Sequence, residues 1–319
     1  MPDRGRCRAV EIVDIGPIAR RASSPGATGA VAAVFARSFY LTLGGQWTCI
    51  VPAGAGAGPL NARCALPEPV DWRRSGLAVG APVRVAPEAI HVAPGLVFLL
   101  ARAATWTPGA PGPWSAESLR AGLEALERAM RGRVPQDGLG LLGLSPTRGA
   151  RLPPVAAAAF GPASALAVRL RAALAPGAGS RARDFSVVRP LLGLGPGLTP
   201  SGDDFLGGAM VALRRLGRGD VAGALWRAIR DPASVATCAL GRAHLAAAAE
   251  GLGGAALHEI LDDALAGRGA RFLARMAALD AIGHTSGWDA LAGVVTVLRA
   301  FRGANERASR PRAAQPARP

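Results

Sequence analysis

Two hydrophobic rhythms divide the chain. From about Ser38 to Thr107, short apolar runs alternate with Pro- and Gly-rich breaks. Ser38–Leu43 and Trp47–Val51 flank Gly44-Gly45-Gln46, a hairpin signal because glycine supplies the positive φ that a tight turn demands. Pro82–Ala86, Ala89–Val92 and Leu96–Ala101 read as further strands. Closely spaced short strands predict a small β barrel or sandwich.

After Pro113 the apolar residues fall three and four apart. Ser115 can cap a helix to about Met130, with Leu119, Leu123, Leu126 and Met130 on one face. Further helices are expected at about 162–174, 203–217, 220–230, 233–250, 254–266, 268–281 and 287–302, joined by short loops as in a helical bundle. The expected fold is α+β: a β-rich domain over 1–112, an α-helical domain over 113–303 and a disordered Arg-rich tail over 304–319.

Composition narrows the chemistry. The 319 residues are 50% hydrophobic but only 5% aromatic, so a core of Ala, Leu and Val is expected. The formal charge of +15 suggests a polyanion partner until its source is read: all 37 basic residues are Arg. Without lysine, a Schiff base or a Lys-bearing P-loop is excluded. The arginines are scattered with few aromatics among them, so no nucleic acid partner is expected. Four cysteines without a CxxC pair make neither a disulfide framework nor a zinc site. No apolar run reaches membrane-spanning length and no signal peptide is visible; a cytoplasmic protein without a membrane partner is expected.

The segment with most chemical content is Gly193-Leu-Gly-Pro-Gly-Leu-Thr-Pro-Ser-Gly-Asp-Asp-Phe-Leu-Gly-Gly208. Gly195 and Gly197 permit positive φ and close approach. Thr199 or Ser201 can cap the following helix, with Pro200 in its first turn. Free N–H groups there, including that of Gly202, together with the hydroxyls would cradle a small anion. Asp203 and Asp204 suit a helix N-terminus through its dipole alone. The functional alternative is that one of them holds Mg²⁺ or moves a proton.

Ile282-Gly-His-Thr-Ser-Gly-Trp-Asp-Ala-Leu-Ala-Gly293 echoes this motif. Ser201-Gly-Asp-Asp-Phe-Leu-Gly-Gly and Ser286-Gly-Trp-Asp-Ala-Leu-Ala-Gly share their Ser, first Gly, second Asp, Leu and last Gly. The match predicts two helix N-termini presented to one site, each with a Ser cap and a first-turn Asp. Thr285, Ser286 and Gly287 join the expected anion-binding set, and Asp204 with Asp289 forms the candidate metal pair. His284, at the mouth of the second turn, is a candidate acid/base or oxyanion donor. His91, His244 and His258 have weaker claims, and Thr237 is a candidate third hydroxyl.

On these two motifs and the weaker Gly58-Pro-Leu-Asn61, the chain resembles the AllH family over roughly residues 20–300. It departs from the family in Thr285, where a second serine is common, and in the Arg-rich tail. The resemblance implies a subunit of oxamate carbamoyltransferase in anaerobic allantoin breakdown. That enzyme interconverts oxalurate plus phosphate with oxamate plus carbamoyl phosphate, alongside FdrA-like and AllG-like subunits. It also brings Asn61 into the substrate-binding set. Two other classes remain open: a stand-alone Mg²⁺-dependent hydrolase using the paired aspartates, and a non-catalytic module that binds a small anion.

Overall fold

The computed structural model describes residues 8–66, 69–93, 95–147 and 151–308. Its contacts group residues up to Ala110 with Leu252–His258 as one unit, and Pro111–Gly251 with the residues from Glu259 onward as a second.

The first unit contains β1 (Arg8–Ile15), α1 (Pro17–Ala22), β2 (Thr28–Val34), β3 (Phe39–Leu43), β4 (Gln46–Pro52), β5 (Asn61–Cys64), β6 (Pro82–Ala86), β7 (Ala89–Val92), β8 (Leu96–Leu99) and β9 (Ala104–Thr105). Neighbouring strands run β5-β4-β3-β2-β6-β7-β8-β1, and β1 pairs with β5 to close an eight-stranded barrel. β9 extends the pairing of β1 beyond β8. Closure turns on a bulge in β1 between Ile12 and Asp14. It shifts the phase, so Val10 and Ile12 face the core before it and Ile15 after it. The half-buried Arg63 of β5 pairs with Asp14 across this seam, its Nε 2.8 Å from Oδ1. Phe39, Trp72 and Phe98 fill the interior, with ring centroids 4.8 Å apart for Phe39–Trp72 and 5.8 Å for Phe39–Phe98.

Gly44 and Gly45, both at positive φ, make the predicted hairpin, with Leu43 opposite Gln46. The barrel begins at Arg8, ahead of the strand region expected from about Ser38, because β1 and β2 lack clean alternation. The bulge breaks it in β1, and the small residues of Thr28–Val34 blur it in β2.

The second unit is mostly helical: α2 (Ala116–Met130), α3 (Pro154–Ala173), α4 (Ser201–Arg215), α5 (Gly219–Ile229), α6 (Ala233–Ala236), α7 (Ala239–Ala249), the C-terminal part of α8 (Ala255–Leu265), α9 (Phe272–Asp280) and α10 (Ser286–Ala308). Ser115 caps α2 through a reciprocal box with Ser118. Three expectations are corrected. Helix α3 starts at Pro154 rather than 162 and carries Pro162 internally; the carbonyl this orphans belongs to exposed Ala158, where water can satisfy it. The helix expected over 233–250 breaks at Thr237, whose extended backbone lets Cys238 cap α7. Helix α10 runs to Ala308, so the start of the expected tail is helical, and residues 309–319 lie outside the described residues. At the centre α4 packs along α10, with α7 against α4 and α3 against α10. Among the described residues, no helix is long and apolar enough to cross a membrane.

Candidate functional site: two crossed helix N-termini

Helices α4 and α10 meet with their equivalent residues exchanged. A Cβ on Gly208 would stand 1.9 Å from the Ala290 carbonyl oxygen, and one on Gly293 would stand 2.0 Å from that of Phe205. Gly208 and Gly293 are equivalent in the two motifs, as are Phe205 and Ala290. Each glycine therefore admits the other helix at the same depth, and the pair is related by a local twofold. The same exchange recurs at the N-termini. The Ser201 hydroxyl lies beside Asp289, and the Ser286 hydroxyl lies beside Asp204. The Asp204 N–H donates to the Pro200 carbonyl at 3.1 Å, and the Asp289 N–H to that of Thr285 at 2.9 Å. Gly202 and Gly287 share a purpose too, since a Cβ would stand 1.9 Å from the Leu191 carbonyl oxygen at the first and 2.7 Å from that of Leu279 at the second.

The serines are not caps, which corrects the expectation. Pro200, in extended conformation, occupies the N-cap of α4 without a side-chain bond; Ser201 and Ser286 are the first helical residues. Their hydroxyls are thus free for the carboxylates across the helix pair. Nor does α4 begin with a row of free donors. The Gly202 N–H reaches the Leu194 carbonyl at 2.9 Å, and the Asp203 N–H reaches that of Pro200 at 2.9 Å. Gly195, at φ 108°, folds the loop back beneath the helix and brings the Leu194 carbonyl there.

The three aspartates have different surroundings. Asp203 is buried; its Oδ1 accepts the Gly193 N–H at 2.9 Å and its Oδ2 accepts the Thr237 hydroxyl. It ties the glycine-rich loop to the α6–α7 junction. The Cys238 thiol reinforces that tie by donating to the Leu198 carbonyl at 2.9 Å. Asp289, also buried, accepts the Leu139 N–H and the Thr285 hydroxyl, the latter at 2.9 Å, with the Gly140 N–H and the Ser201 hydroxyl beside it. Asp204 has the Ser286 and Thr199 hydroxyls beside it, themselves 2.9 Å apart, but its buried Oδ2 has no hydrogen-bond partner among the described residues.

All three carboxyls are pushed above the ordinary carboxylate range, chiefly by burial. The rise is large for Asp204, where the charges of Asp289 and Asp203 add to desolvation and the hydroxyls only partly oppose it. Burial therefore favours the protonated form of Asp204 over the carboxylate.

The structure thus brings together Gly195, Thr199, Ser201, Asp204, Thr285, Ser286 and Asp289, with Asp203 and Thr237 behind them. Gly197 forms the exposed crest of the loop at φ 96°. His284 is exposed, with Nε2 3.3 Å from Asp137. Asn61 belongs to the barrel unit, where its Nδ2 donates to the Gly56 carbonyl at 2.9 Å and closes its own turn. The Gly138–Gly140 turn was missed by sequence reasoning. Its signal is the Gly138-Leu139-Gly140 spacing: Gly138 has φ 74°, and a Cβ there would stand 2.5 Å from Asp289 Oδ1.

Mg²⁺ does not fit the paired aspartates well. Asp289 already accepts the Leu139 N–H and the Thr285 hydroxyl and has two further donors beside it, and a cation would have to displace these groups. Among the described residues no three His, Cys, Asp or Glu side chains are grouped to hold a metal ion.

No curated protein and no solved structure matches the chain. Residues 191–298, which span both motifs and the crossed helices, match the family model described as oxamate carbamoyltransferase subunit AllH, and in this segment the chain is similar to that family.

Proposed function

We propose that the chain is an AllH-type subunit of a carbamoyltransferase that interconverts oxalurate plus phosphate with oxamate plus carbamoyl phosphate, working with FdrA-like and AllG-like subunits in purine catabolism. The observation that carries this reading is the crossed hydroxyl–carboxyl cluster, which lies inside the segment similar to AllH. In the forward reaction a phosphate oxygen attacks the carbamoyl carbon of oxalurate. The bond from that carbon to the oxamate nitrogen then breaks, and the nitrogen takes up a proton. Asp204, whose protonated form burial favours, supplies the proton, and as a carboxylate it removes it in the reverse direction. Thr199, Ser286 and the Gly195–Gly197 crest orient the anionic ends of the substrates. Asp289 and Ser201 hold the two helices in register for this work, and Thr285 and Gly287 complete the second turn. His284 is assigned to the site entrance, where it can donate to an arriving anion.

The test is co-expression with the FdrA-like and AllG-like proteins, purification through a tag on this chain, and assay of carbamoyl phosphate made from oxalurate and phosphate. Asp204→Asn is expected to lower turnover by about 10²–10⁴-fold with the complex intact. An assembled complex without this activity, or an Asp204→Asn complex with near-wild-type turnover, sinks the proposal.

A further inference from the structure

The local twofold makes the two aspartates directly comparable, and the comparison exposes a missing group. Each carboxyl has two hydroxyls beside it: Ser201 and Thr285 at Asp289, Ser286 and Thr199 at Asp204. Asp289 has in addition two adjacent N–H donors, those of Leu139 and Gly140. Among the described residues nothing stands for these donors at Asp204, where Oδ2 is buried without a partner. A buried carboxyl oxygen left unpaired costs free energy, and such orphans mark places where a ligand or water completes the structure.

We propose that Asp204 Oδ2 is the recognition point for the NH₂ group of a primary amide, which takes the place at α4 that the Leu139 and Gly140 N–H groups take at α10. One N–H of that group donates to Oδ2, and the hydroxyls of Thr199 and Ser286 flank the carboxyl that accepts it. Asp203 and Asp289 cannot serve, because donors from the protein already occupy both. Oδ2 is closed to solvent in the free chain, so binding goes with a local opening of the groups around it.

This inference deepens the carbamoyltransferase reading and takes its test ligand from it: oxamate presents such an NH₂ group. Pyruvate replaces that NH₂ with a methyl of similar size and otherwise keeps the same keto and carboxylate oxygens. Calorimetry on the full chain alone, with no partner subunit and no turnover, compares the two. Wild type should bind oxamate about tenfold or more tighter than pyruvate. Asp204→Asn, and Asp204→Ser as a second substitution should the first melt early, should bring the ratio close to one. Ser286→Ala should weaken both ligands and leave the preference standing.

Equal binding of the two ligands by wild type, absence of oxamate binding, or a preference that survives both Asp204 substitutions overturns the inference. A buried water as the true partner of Oδ2 gives the first of these results. Failure of the assembled complex to make carbamoyl phosphate, with the oxamate preference intact, counts against the proposed reaction and not against this site.

Discussion

Three carboxyls that hold their protons more tightly in the folded chain than in the unfolded one make stability depend on pH. For Asp203, Asp204 and Asp289, burial raises the folded value above the ordinary one. Their contribution is fully present below the unfolded carboxylate value of about 4 and is lost as pH rises through the raised folded values. His244 has the opposite sign: burial pushes it down to about 4, so its contribution is lost as pH falls. The comparison of wild type with Asp204→Asn isolates the aspartate. Urea unfolding at pH 5 and pH 8 should show wild type losing more stability between them than the variant, with the variant the more stable at pH 8. A variant that is less stable at pH 8 and unchanged in slope would show that Asp204 is not a buried, strained acid.

The crossing of α4 and α10 depends on glycines with no room for a side chain. Gly208→Ala or Gly293→Ala drives a methyl into a backbone carbonyl, which cannot swing aside as a flexible side chain can. Either should cost about 1–3 kcal/mol and disturb the hydroxyl–carboxyl pairs at the helix starts. Gly303→Ala near the end of α10 is the control: a Cβ there meets open space, so the change should stabilise by roughly 0.5–1 kcal/mol through helix propensity. Thermal unfolding of the three variants checks both signs; similar melting temperatures for all three would refute the close crossing. The sequence echo made these elements legible, since the shared Ser, Asp and Gly spacing announced two equivalent helix starts. It did not tell that each serine serves the other helix's aspartate. A serine before a helical run looks like a cap, and only the neighbouring helix offers the better acceptor.

At the scale of the whole chain, two cores form in separate units, and the chain returns to the first at Leu252–His258, where the Ala255 N–H donates to the Ala57 carbonyl at 2.8 Å. The aromatic deficit concentrates the barrel interior on a few rings, so Phe98→Ala should cost about 3–5 kcal/mol in denaturant unfolding. A loss below about 1 kcal/mol would mean the barrel repacks freely around the gap. The scattered arginines are explained in part by ion pairs: Arg63 with Asp14, Arg215 with Asp262, Arg268 with buried Asp263, and Arg299 with Glu127.

The sequence by itself determined the α+β order, the Gly44-Gly45 hairpin, most helices and the two motif turns. Periodicity, glycine and proline act locally, over the few residues that each element spans. The barrel's closure, the swap of hydroxyls between helices and the unpaired oxygen of Asp204 were decided only by tertiary structure. Closure needs Ile12 beside Cys64, the swap needs Ser201 beside Asp289, and the turn that satisfies Asp289 comes from Gly138–Gly140. Contacts between residues so far apart in the chain leave no period in the sequence, because what fixes them is which faces meet when the cores form.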